Sequence, residues 1–195
     1  RYIPACANDM KKKFFIIHKE EELLRTCLEV LSLDKELIKS MLEVKFYDQV
    51  ADDLLKFAVI ISRTKDKWVF CKHKERDTYE IPGGHREEGE EISETAKREL
   101  YEETGAIEYN ISPVCVYSVV GKNRVNHTGE EMYGMLFFAD IQIFEEELHS
   151  EMECVCFFDE LPVEWTYPLI QPVLIEEYLS REIKKKGVDI SRKLW

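Results

Sequence analysis

Residues 83–106, GGHREEGEEISETAKRELYEETGA, constrain this chain more than any other stretch. A glycine pair leads through acidic turns into a short segment with helical spacing. On a helix Glu99, Glu102 and Glu103 stand at i, i+3 and i+4 and share one face. Like charges at that spacing weaken a helix by roughly 0.2–0.5 kcal/mol per pair. Taken singly, each carboxylate reads as part of a solvated helix face. As a set, they suit a hard divalent cation such as Mg²⁺ or Mn²⁺, which prefers clustered oxygen ligands. Gly83 and Gly84 permit a tight turn and close backbone approach to a ligand or metal. Ser93 or Thr95 is expected to start the helix and Gly105 to end it in the left-handed conformation. Ala96 and Leu100 lie about a quarter-turn from the carboxylates and are expected to pack on a sheet.

The flanks of this helix have the periodicity of strands. VKFYDQV (44–50), KFAVIIS (56–62), KWVFCKH (67–73) and the short TYEIP (78–82) precede it. VCVYSVV (114–120), MYGMLFFADIQI (132–143) and ECVCFF (153–158) follow and read as central strands. The polar loop 121–131 between the first two of these is a natural rim for a binding site. After Pro168 and Pro172 an apolar stripe of Val173, Leu174, Tyr178 and Leu179, closed by Lys184–Lys186, predicts a C-terminal helix. Strands around one central helix with a second helix at the end give a mixed α/β sandwich over residues 44–195. Residues 1–43 are expected to form a helical extension, with Leu23, Leu24, Cys27, Leu28 and Leu31 at three-and-four spacing and a second helix carrying Leu37, Ile38, Met41 and Leu42. That hairpin is expected to pack on the main domain, or else to form a homodimer contact or a docking element.

A net charge of −12 and a pI near 5.0 argue against general DNA binding and against anionic membranes. An anionic substrate then needs cations and a few placed basic side chains. No apolar run approaches the roughly 18–20 residues of a membrane span. The six cysteines show neither C-x-x-C pairs nor metal-ligand spacing, so they read as small buried apolar side chains in a reducing cytoplasm. The chain does not begin with Met, and residues 1–9 are read as either added or the cut end of a longer sequence.

Gly84, five residues, Glu90, seven residues, then Arg98-Glu99-Leu100-Tyr101-Glu102-Glu103-Thr104-Gly105-Ala106 resembles the Nudix box at every fixed charged and glycine position. Ala106 departs softly, since a larger aliphatic residue is usual there. YEIPGG ahead of the box and EMECVCFFDELP after it are also similar to the family, and the resemblance spans about residues 45–180. It implies a Nudix-type α/β/α sandwich with a mixed sheet. It also implies that Glu99, Glu102 and Glu103 supply carboxylates for two or more Mg²⁺ or Mn²⁺ ions, joined by the Gly83 carbonyl. Glu90 and Arg98 are implied to pair behind those ligands. A further carboxylate is expected from the late acidic turn, best at Glu151, less well at Glu153 or Glu147. Glu102, then Glu99, is the first choice of general base.

The implied reaction is attack of water on a phosphorus of a nucleoside polyphosphate. Arg76, Glu80 and Arg124 are candidate substrate residues, with Lys72, Lys74 and Arg86 as weaker phosphate partners, and His85 and His127 as loop residues. The region YSVVGKN lacks the proline that ADP-ribose-type enzymes tend to carry there. Local wording resembles the MutT-like and YtkD-like group, whose members convert nucleoside triphosphates, including 8-oxo-dGTP, to monophosphate and pyrophosphate. Alternatives are an ADP-ribose, nucleotide-sugar or RNA 5′-end pyrophosphohydrolase, or a Nudix ligand sensor without catalysis.

Overall fold

Alternating burial along the apolar runs places them in a single mixed sheet. The computed structural model describes residues 42–122, 126–145, 147–148 and 150–186, all within the compact unit Leu42–Trp195. The predicted N-terminal helices lie outside the described residues apart from Leu42 and Glu43, and Glu43 opens a strand instead of closing a helix. The strands are β1 (Glu43–Tyr47), β2 (Leu55–Thr64), β3 (Lys67–His73), β4 (Tyr79–Glu80), β5 (Gly83–His85), β6 (Ala106–Val120), β7 (Met132–Phe144) and β8 (Met152–Phe158). A short 3-10 turn, Asp52–Leu54, leads into β2. The helices are α1 (Ile92–Thr104) and α2 (Gln171–Lys185).

The sheet order is β1-β6-β7-β2-β3-β4, with β5 also on β2 and β8 also on β3. Only the β2–β7 pairing is parallel among the described strands, with Val59 opposite Leu136 and Ile61 opposite Phe138. Because side chains alternate between faces, two apolar layers result. One joins Ala58, Ile60, Val69, Phe137 and Ile141 to Ala96 and Leu100 of α1. The other joins Ile61, Phe70, Tyr117, Val119 and Leu136 to Leu174, Ile175 and Tyr178 of α2. This is the predicted α/β/α sandwich.

Several local expectations are corrected. The glycine pair 83–84 forms strand β5, not a turn, and neither residue has a positive φ. It serves close approach: a Cβ on Gly83 would stand 2.6 Å from the Ala58 carbonyl oxygen on β2. The turn before α1 uses Gly89, at φ 86°. Neither Ser93 nor Thr95 caps α1. Its N-cap is Glu91, whose N–H donates to the Glu94 carboxylate at 3.0 Å, and Thr95 sits further in and donates to Glu90 at 2.8 Å. Gly105 does end the helix left-handed, at φ 69°, with its N–H donating to the Tyr101 carbonyl. In β8 the thiols of Cys154 and Cys156 are half-buried, 3.3 Å apart, whereas Cys71 and Cys115 are core residues. The buried stripe on α2 is Leu174, Ile175 and Tyr178, and Leu179 is 38% exposed.

Candidate active site

The box helix presents its carboxylates because its adjoining side is fixed. Ala96 and Leu100 are fully buried against the sheet, so α1 cannot roll without opening the core, and the Glu99–Glu103 face is set toward the β5 end. The preceding loop is tied to the same helix through Arg98. Its Nε and Nη2 donate to Glu90 at 2.7 and 3.1 Å, and Nη2 also donates to the His85 carbonyl at 3.0 Å. The forked guanidinium makes such a paired bond well. This neighbour holds the Glu90 carboxyl down to about 2, against a partial upward push from burial, with the Glu87 N–H and Thr95 hydroxyl adding to the lowering. Glu90 and Arg98 therefore meet as the sequence implied. Arg86 closes the other side of the loop, donating to the Glu90 carbonyl at 2.6 Å and pairing with Asp52 at 2.7 Å.

The third guanidinium nitrogen, Nη1 of Arg98, donates to Glu99 at 2.7 Å and to Glu102 at 3.2 Å. Glu103 is turned inward, accepting the Gly83 N–H at 2.9 Å. Burial raises the carboxyl of Glu103 well above the usual carboxylate range, opposed by that N–H and reinforced by Glu99, Glu80 and Glu151. Glu99 is raised too, first by burial, then by Glu102 and Glu151, with Arg98 opposing. Glu99, Glu102, Glu103 and Glu151 thus crowd their charges in a partly dry site, where Arg98 offsets only Glu99 and Glu102 directly.

A cavity of about 480 Å³ opens beside this cluster. Glu99, Glu103, Glu151, Arg98 and Gly83 line it, as do Arg76 and Glu80. Glu102 does not line it; its half-exposed side chain stays on Arg98. Arg76 donates to both Glu80 oxygens, at 3.3 and 3.1 Å, so that pair forms one unit on the wall. Of the alternatives to Glu151, Glu153 is paired with Lys72 and Glu147 is exposed away from the lining. Lys74 reaches the Ser150 carbonyl, and His85 packs edge-on to Phe57. His127 is exposed in a separate shallow pocket, and Arg124 lies outside the described residues.

Among the described residues, no three His, Cys, Asp or Glu side chains converge as a preformed metal centre would hold them. Arg98 has drawn Glu99 and Glu102 to itself and Glu103 lies on the Gly83 N–H. The donor set nonetheless fits a hard divalent ion. It is all oxygen and mutually repelling, and Gly84 has no side chain, so the Glu99 carboxylate rests directly against its backbone.

The sequence did not point to the apolar wall that completes the cavity: Val59, Tyr117, Val119, Met132, Ile170 and Leu174. One signal was present, a glycine inside the apolar strand at 134, which marks a close approach by some other group.

Residues 54–171 match the NUDIX domain family. A Bacillus subtilis protein, YtkD, provisionally named as an 8-oxo-dGTP diphosphatase, is 33% identical over 129 residues, covering 66% of this chain and 77% of its own length. Among solved structures, the Bacillus subtilis pyrophosphohydrolase BsRppH superposes with a TM-score of 0.59 and 27% identity, over 75% of this chain and 92% of that one. A NUDIX hydrolase from Nitrosomonas europaea superposes at 0.53 and 21% identity, over 65% and 90%, a likeness of fold.

Proposed function

Because the chain belongs to the NUDIX family, we propose that it is a divalent-metal-dependent pyrophosphohydrolase acting on nucleoside triphosphates, oxidised purine forms such as 8-oxo-dGTP included. The products are the nucleoside monophosphate and pyrophosphate, and the compartment is the cytoplasm. The observation that carries this reading is the cavity. Glu99 and the buried Glu103 of α1, with Glu151, line it together with an apolar wall on the α2 side of the sheet. A triphosphate joined to a planar base needs both, and the likeness to YtkD supports the same substrate class.

Glu99, Glu102, Glu103, Glu151 and the Gly83 carbonyl would hold Mg²⁺ or Mn²⁺. What such ions supply when bound is charge neutralisation of the phosphates and a more acidic attacking water. The chain's own residues do the rest. Glu90 anchors Arg98, and Arg98 aligns Glu99 and Glu102 against α1. Arg76, oriented by Glu80, meets a phosphate oxygen. Water adds to phosphorus, the bond to the bridging oxygen breaks, and the water's proton passes to Glu102 or Glu99. Glu99 already faces the cavity, whereas Glu102 has to exchange its Arg98 pairing for the site.

The test is a panel of nucleoside triphosphates, oxidised forms, ADP-ribose, sugar nucleotides and RNA with a 5′-triphosphate, assayed with Mg²⁺ and Mn²⁺ while separating phosphate from pyrophosphate release. Pyrophosphate release from a nucleoside triphosphate is expected. In Glu102→Gln, turnover should fall by roughly a hundredfold or more with the melting temperature unchanged. Unchanged turnover in that variant would remove Glu102 from the catalytic set, and inactivity of the parent on the whole panel would sink the assignment in favour of a ligand-sensing role. Preference for the RNA substrate would move the enzyme to the RNA 5′ end.

A further inference from the structure

Most polar side chains on the α2 side of the cavity are already engaged. Gln171 accepts the Ile81 N–H at 3.3 Å and reaches back to the Ile81 carbonyl. Asn126 donates to the Glu130 carbonyl at 2.7 Å and accepts the Thr128 hydroxyl and the Gly129 N–H. Glu80 is taken by Arg76. Tyr117 differs. It is 4% exposed, lies among the apolar side chains of the α2 layer and lines the cavity.

No hydrogen bond ties its hydroxyl to any described residue, and burial alone pushes the phenol's pKa up. Yet the oxygen is not sealed inside protein. Among the described residues, Arg63 Nε is the one enclosed side-chain polar atom without a partner. The remaining open side of the Tyr117 hydroxyl is the cavity.

Gly134 explains how the ring reaches that place. Tyr117 on β6 is opposite Gly134 on β7. A Cβ on Gly134 would lie 2.6 Å from the ring's para carbon and 2.7 Å from the hydroxyl oxygen. With no side chain there, the ring lies across β7 toward β2. Val59, Val119, Met132 and Leu174 line the same cavity, so the hydroxyl is a polar point on an apolar wall. A hydroxyl both donates and accepts, and one that bonds no protein group and opens onto a cavity is free to bond a ligand there.

We propose that the Tyr117 hydroxyl, seated on Gly134, is the specificity-determining contact that hydrogen-bonds the edge of the substrate's purine ring while the apolar walls hold its faces. This rests on the nucleotide reading above and adds to it the residue that reads the base.

The test is Tyr117→Phe, which keeps the ring and removes only the oxygen. Binding of purine nucleoside monophosphate would be measured by calorimetry, and kcat/KM for a purine nucleoside triphosphate compared with that for base-free ribose 5-triphosphate. Purine nucleotide affinity and kcat/KM should fall roughly tenfold, as for loss of one neutral hydrogen bond. The base-free substrate should change by less than about twofold, because it never meets the hydroxyl. The melting temperature should hold, since no hydrogen bond within the protein is removed. Unaltered purine binding in the variant overturns the proposal and leaves the nucleotide reading intact. An equal loss on the base-free compound also overturns it, making Tyr117 a packing residue. Failure of the parent protein to bind or cleave any purine nucleotide overturns both.

Discussion

Gly84 has no room for a side chain, because the Glu99 carboxylate already occupies the place of its Cβ. Its backbone conformation is one that alanine adopts, so Gly84→Ala should fold and displace Glu99 instead. A shift of about 1 Å in a reacting group costs on the order of a hundredfold in rate, and kcat should fall by about that much while the urea midpoint changes little. A near-normal kcat would show that Glu99 is not held against Gly84 during turnover. Glu90 makes a different prediction. Its carboxyl drops from an ordinary 4.5 to about 2 on folding, chiefly through Arg98. A group lowered in this way contributes stability that is complete above pH 4.5 and is lost as pH falls from there toward 2. The stability gap between the parent protein and Glu90→Gln should therefore narrow over that acid window, as read by denaturant melts at several pH values. A gap constant with pH would show that Arg98 does not hold Glu90 in solution.

At the scale of the element, α1 works as a rigid mount. Leu100 is fully buried between the helix and the sheet, with Ala96 one turn away. Leu100→Ala should cost about 2–5 kcal/mol in a urea titration through the cavity it leaves. Activity should fall with it even where the protein is still folded, because the mount carries Glu99, Glu102 and Glu103. The same helix shows what a linear reading sees well. Period and spacing placed Glu99, Glu102, Glu103, Ala96 and Leu100 on their correct sides, since a helix face depends only on local geometry. Its start was not legible: Ser93 and Thr95 have cap chemistry, but Glu91 and Glu94 satisfy the end while Thr95 is drawn to Glu90. The strand β6 also extends from Ala106 rather than from residue 114, because β7 pairs with it through several register shifts that no run of apolar residues announces.

For the whole molecule, the net charge of −12 and the repelling carboxylates of α1 make a consequence measurable without turnover. Mg²⁺ that binds the folded protein alone raises its stability by about 2.7 kcal/mol at a hundred times its dissociation constant, and chelation should reverse both this and activity. A melting temperature indifferent to Mg²⁺ would show that the folded protein does not take up the cation by itself. The amino-acid sequence by itself determined the alternation of strands and helices, the family's box and the identity of its charged residues. These are matters of period, spacing and residue type within one stretch of chain. Only the tertiary structure decided which groups share a cavity. It brought Glu151 from the late turn beside α1 and laid Tyr117 across Gly134. Those outcomes depend on sheet order and cross-strand register, which join residues far apart in the chain and leave no periodic trace in it.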